Sequence, residues 1–121
     1  MKIARIDHLN LSVADIDRTC EFYGRVLGLE RISWGTGRAA LRFGEQKINL
    51  DPLDRQKPQE RRQPAHLCFV SEAPIAEVIA QLEREGVPIA MGPGPRSGAT
   101  GTIESVYIND PDGNSIEIAT Y

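Results

Sequence analysis

The feature that most constrains this chain is that it carries one structural pattern twice within 121 residues. Asp7-His8-Leu9-Asn10-Leu11-Ser12-Val13 alternates like a strand and leads into a helix pattern over about 16–27. Ala65-His66-Leu67-Cys68-Phe69-Val70 does the same and leads into a second helix pattern over about 74–85. The first helix gathers Ile16, Cys20, Tyr23, Val26 and Leu27 on one face, the second Ile75, Val78, Ile79 and Leu82. Asp15 is a candidate N-cap, Pro74 suits a first turn, and Gly28 and Gly86 stand where a left-handed C-terminal residue is wanted. Short β-like pieces follow each helix, at 29–34, 38–43 and 47–50 and then at 87–91, 104–109 and 115–120. Turn-forming residues separate them, notably Gly35-Thr36-Gly37, Gly44-Glu45 and Asp110-Pro111-Asp112-Gly113-Asn114.

The expected fold class is therefore α+β, with two βαβββ modules forming a curved, partly open mixed sheet and the helices outside. Module one spans about 1–54, a polar link 55–63 and module two about 64–121, within a single domain. A four-stranded sheet with one helix cannot cover both its faces. Two such units side by side can, and they can enclose a cavity.

Alternation decides which side chains face that cavity. In the first strand Leu9, Leu11 and Val13 form the apolar face, and His8, Asn10 and Ser12 oppose them. Leu67 and Phe69 are opposed by His66 and Cys68, and Ile116 and Ile118 by Ser115, Glu117 and Ala119. The apolar sets seat the helices, which puts His8, His66 and Glu117 together on the inner face. The chain has only two histidines, and both fall at the same place in the duplicated unit. Aligning Lys47-Ile48-Asn49-Leu50 with Ser115-Ile116-Glu117-Ile118 pairs Asn49 with Glu117. Two imidazoles and one carboxylate suit a divalent transition metal and leave coordination positions open, as a catalytic metal requires. A bland reading stands beside this one: a strand histidine is more often a hydrogen-bonded structural residue, and Glu117 could pair with Arg42 or Arg5. Strand alternation, repeat position and ligand chemistry together favour the metal.

Ser105 and Tyr107 alternate with Val106 and Ile108, so both are expected to line the cavity and bind substrate. Arg96, in the Gly-rich loop 92–101, is a candidate lid residue holding an anionic substrate group, set against the plainer reading of a solvent-exposed loop charge. Trp34 and Arg42 are weaker cavity candidates. Cys20 and Cys68 are too few for a disulfide framework and are expected to be small buried thiols.

Composition excludes several classes of partner. A net charge of −3 argues against nucleic acid and anionic membranes, and Asp51, Asp54 and Glu60 dilute the basic run Arg55, Lys57, Arg61 and Arg62. No apolar run approaches the roughly 20 residues of a membrane span, and the N-terminus lacks a secretory signal. A cytoplasmic location is the expectation.

With these residues in place, the chain resembles the vicinal oxygen chelate superfamily, the glyoxalase, fosfomycin-resistance, bleomycin-resistance and extradiol-dioxygenase group. The resemblance rests on Ile6-Asp7-His8-Leu9, on Phe22-Tyr23 with Val26-Leu27-Gly28-Leu29, on His66, and on Tyr107-Ile108-Asn109-Asp110-Pro111-Asp112-Gly113-Asn114-Ser115-Ile116-Glu117. Gly37-Arg38-Ala39-Ala40-Leu41-Arg42-Phe43-Gly44 and Gln46-Lys47-Ile48-Asn49-Leu50 resemble a glyoxalase-domain subfamily described as glyoxalase-like or virulence-associated. Gly92-Pro93, Arg96-Ser97-Gly98-Ala99 and Ser105-Val106-Tyr107 extend that match.

The resemblance implies metal positions at His8, His66 and Glu117. It places Asn49 where many glyoxalase I enzymes carry a fourth ligand, a poor substitute that leaves Asn49 a substrate contact. It also implies one divalent ion (Zn, Ni, Mn or Fe(II)) that binds two neighbouring substrate oxygens, a small-molecule substrate, and a homodimer. The leading expectation is a glyoxalase-type lyase or isomerase acting on a small hydroxy or keto carbonyl compound, with Glu117 a candidate base. The alternatives are an extradiol-type dioxygenase or a fosfomycin-resistance-like epoxide-opening enzyme, and a non-catalytic binder of the bleomycin-resistance kind.

Overall fold

A computed structural model of the chain describes residues 1–54 and 64–121. The expected order is there: β1 (His8–Val13), α1 (Ile16–Leu27), β2 (Glu30–Trp34), β3 (Arg38–Phe43) and β4 (Gln46–Pro52), followed by β5 (His66–Val70), α2 (Ile75–Arg84), β6 (Met91–Ser97), β7 (Thr102–Asn109) and β8 (Ser115–Thr120). The chain divides into two compact units, Met1–Arg62 and Gln63–Tyr121. The fold is α+β, one βαβββ module per unit, each with a four-stranded mixed sheet. The link at 55–63 and its basic residues lie outside the described residues.

In the first unit the strand order is β1-β4-β3-β2, in the second β5-β8-β7-β6. The one parallel pair of each sheet has the same register: His8 stands opposite Lys47, and His66 opposite Ser115. That equivalence is the one the sequence alignment of 47–50 on 115–118 required. In each unit the helix packs on one sheet face. Leu11, Val13, Tyr23, Val26, Leu41, Ile48 and Leu50 form the first core, and Val78, Leu82, Val106, Ile108, Ile116 and Ile118 the second. Each such side chain contributes about 1.5–3 kcal/mol on burial.

Local chemistry sets the helix ends. The Asp15 carboxylate accepts from the Arg18 N–H at 2.9 Å, and Gly28 closes α1 at φ 70°. The second helix ends in a Schellman turn, in which Val87 N–H donates to Leu82 O and Gly86 N–H to Glu83 O.

Three expectations need correction. Residues 87–90 are not strand, because Val87 is the buried apolar residue that closes the α2 cap. β6 instead runs through Met91–Ser97, so the presumed Gly-rich lid begins as an edge strand, with Arg96 opposite Ile103. Prolines are tolerated there because an edge strand has N–H positions that no neighbour needs. Cys68 is exposed rather than buried, since β5 is the other edge of its sheet and its polar face is open; Cys20 is buried as expected. No helix of the described residues is long and apolar enough to cross a membrane.

Candidate functional site

The second unit assembles a polar cluster on the sheet face opposite α2. Register places Cys68 opposite Glu117 and Glu117 opposite Tyr107, so His66, Cys68, Glu117, Tyr107 and Ser105 share that face. Glu117 is the centre. Only 6 % of it is exposed. Ser105, fully buried, donates its hydroxyl to Oε1 at 2.8 Å. The imidazole Nε2 of His66 lies 3.2 Å from Oε2, and the His66 ring is 5.8 Å from that of Tyr107.

Burial pushes the Glu117 carboxyl upward. Hydrogen bonds from Ser105, Tyr107 and His66, with the field of His66, more than offset that and hold it below the ordinary glutamate range. The result is a buried, ionised carboxylate beside an imidazole that is itself open to solvent. Cys68 completes the cluster: partial desolvation of its otherwise exposed thiol, the Glu117 charge and a hydrogen bond to that carboxylate all push its pKa upward. Sequence reasoning set Cys68 aside, although its alternation with His66 already placed it on this face.

His8 belongs to the first unit. It is exposed, and its Nδ1 lies 2.8 Å from Asp7 Oδ1, an arrangement that leaves Nε2 outside that contact. The Asp7 carboxyl is lowered chiefly by that hydrogen bond, although the pair sits in water. Asn49 is buried on the same face of the first sheet and donates Nδ2 to Asn10 Oδ1 at 3.1 Å. Its position in β4 matches that of Glu117 in β8.

The structure thus brings His66, Glu117, Ser105 and Tyr107 together, with the Arg96 guanidinium 5.6 Å from the Tyr107 ring centre. Arg96 also donates to its neighbouring Pro95 carbonyl. Among the described residues, no group of three or more His, Cys, Asp or Glu side chains is placed to hold a metal ion. The chemistry of the pair that is assembled, an ionised carboxylate and an available imidazole, fits a divalent metal.

Known proteins share this architecture. The description of the Glyoxalase/Bleomycin resistance protein/Dioxygenase superfamily matches residues 5–118. Virulence protein STM3117 of Salmonella typhimurium is 46% identical over 125 residues, spanning 100% of this chain and 87% of its own. Glyoxalase domain-containing protein RDO1 of Mycosarcoma maydis is 39% identical over 127 residues, covering 100% of this chain and 70% of its own. A solved structure from the mobile metagenome of V. Pseudocholerae, VPC_CASS1, superposes with a TM-score of 0.92 at 48% identity, over 100% of this chain and 97% of that one. More distant are glutathione transferase FosA of Serratia marcescens, 31% identical over 93% of this chain and 78% of its own, and a lactoylglutathione lyase structure from Agrobacterium tumefaciens. The latter reaches a TM-score of 0.74 at 26% identity, over 99% of this chain and 96% of that one. This chain belongs to the glyoxalase/bleomycin resistance protein/dioxygenase superfamily.

Proposed function

We propose that this chain is a divalent-metal-dependent lyase or isomerase of glyoxalase type, acting on a small substrate with two neighbouring oxygens, a hydroxy or keto carbonyl compound. The observation that carries the reading is the His66–Glu117 pair: a buried carboxylate, kept ionised by Ser105 and Tyr107, 3.2 Å from an open imidazole. His8, whose Nδ1 is occupied by Asp7, is the proposed third ligand. The ion is Zn, Ni, Mn or Fe(II), and when bound it supplies Lewis acidity toward charge developing on the substrate oxygens.

The chain's own residues do the rest. Hydrogen bonds from Ser105 and His66 hold the Glu117 carboxylate, and Tyr107 adds to the stabilisation of its ionised form. Those bonds also make Glu117 a weak base at neutral pH, so its role is ligand first, and proton transfer falls to it only if they loosen. Tyr107 and Arg96 face the substrate, and Asn49 contacts it from the first unit. A cytoplasmic homodimer completes the proposal. A second reading, epoxide opening by a thiol, is favoured by the likeness to FosA.

Proton exchange tests the class of reaction. Small hydroxy and keto carbonyl compounds, incubated in heavy water with the zinc- or nickel-loaded chain, should exchange the proton on the carbon bearing the oxygen. Exchange that survives both chelation and His66→Ala would refute a metal-dependent isomerase; thiol addition to an epoxide without exchange would select the second reading.

A further inference from the structure

The first unit holds a polar network that metal binding leaves unused. On the sheet face of His8, β4 presents Lys47, Asn49 and Asp51, and register adds Arg38, Ala40 and Arg42 of β3 and Trp34 and Glu30 of β2, with Arg42 paired to Glu30. The Asp51 carboxylate can only accept. Arg38 pairs with its Oδ1, and Asn10 Nδ2 donates to its Oδ2 at 2.9 Å. With its amino group committed there, Asn10 has its carbonyl oxygen to offer, and Asn49 Nδ2 donates to it. The direction of every bond is therefore fixed from Asp51 outward, and Asn49 Oδ1 is the open end. It is buried and has no hydrogen-bond partner among the described residues. A buried acceptor without a donor is rare and unfavourable, and a ligand donor would relieve it.

Two residues earlier on the same face stands a cation. Lys47 Nζ lies 4.0 Å from the centre of the Trp34 ring, and the Arg38 guanidinium 4.8 Å from it. The Arg38 charge is matched by Asp51, whereas Lys47 rests on an aromatic face and forms no ion pair with a carboxylate of the described residues. Residues i and i+2 of a strand stand about 7 Å apart, within reach of two adjacent polar groups on one small ligand.

We infer that this face recognises a 2-hydroxycarboxylate: its hydroxyl donates to Asn49 Oδ1, its carboxylate binds Lys47, and Asp51 is a positioning residue that fixes the Asn49 amide through Asn10. The inference rests on the proposed function only in assigning this face to the substrate. It names a substrate charge, and it gives Lys47, Asn10 and Asp51 roles in recognition.

Lactate and propionate, which differ by the hydroxyl, provide the test. Each is titrated calorimetrically into the full-length chain, first with excess chelator and then with zinc. Lactate should bind about tenfold more tightly than propionate. Asp51→Asn and, separately, Asn10→Ala should abolish that preference without weakening propionate, a pattern that general loss of structure would not give. Lys47→Met should weaken both ligands about tenfold. No preference in the unaltered chain, a preference that survives both network variants, or unchanged binding in Lys47→Met would each overturn the inference. If zinc neither binds nor tightens lactate while the preference behaves as stated, the metal reading fails and the recognition face stands.

Discussion

Ser105→Ala probes the Glu117 cluster without touching a proposed ligand. The variant removes a 2.8 Å hydrogen bond from a fully buried hydroxyl to a carboxylate with 6 % exposure. A hydrogen bond to a charged group contributes about 1.5–3 kcal/mol, and the small void left by a hydroxyl adds little. For a domain of this size the expected loss corresponds to a fall in Tm of roughly 5–12 °C at neutral pH. The pH dependence carries the diagnostic. The folded Glu117 carboxyl lies below its ordinary value of 4.5, so its stabilisation is present above that value and is lost as pH falls through the folded pKa. Removing Ser105 shrinks that depression. The stability gap between the two proteins, measured by urea unfolding, should be full at neutral pH and should narrow once the carboxyl protonates in both. A gap below about 0.5 kcal/mol, or one that stays constant into strong acid, would show that the hydroxyl does not hold an ionised Glu117.

Two further outcomes follow from backbone geometry. Asp15→Ala deletes the side-chain cap on Arg18 N–H and should lower stability by about 1 kcal/mol in urea unfolding, with Asp15→Ser recovering most of it. Gly92→Ala should destabilise by about 2 kcal/mol or more, because a methyl there would lie 2.5 Å from the Ser105 carbonyl oxygen at a φ of 95°. Stability equal to that of the unaltered chain would refute the close packing of β6 on β7.

Much of the fold was legible because the duplication let each half check the other. The helix at Ile16–Leu27, the strands Arg38–Phe43 and Ser115–Thr120, and the Asp15 cap were all readable from periodicity and end signals. The miss at Val87 has a definite cause. An apolar residue after a helix glycine can start a strand or close a Schellman turn, and only the tertiary structure decides. Met91–Ser97 was obscured by its two prolines, which are strand-compatible only at a sheet edge, and edges are invisible in a single sequence. For the site, alternation alone put Glu117, Ser105 and Tyr107 on one sheet face, and in the structure Ser105 donates to Glu117 there. The same rule would have admitted Cys68, had its apolar character not suggested burial. The Asp51–Asn10–Asn49 network was out of reach, since it depends on the parallel pairing of β1 with β4 across about forty intervening residues.

The metal content of the protein purified without chelators tests the account most directly. Elemental analysis should find about one divalent ion per chain, lost in His66→Ala and in His8→Ala while circular dichroism stays unchanged. A chain that takes up no divalent ion, or one whose ion survives His66→Ala, would contradict it.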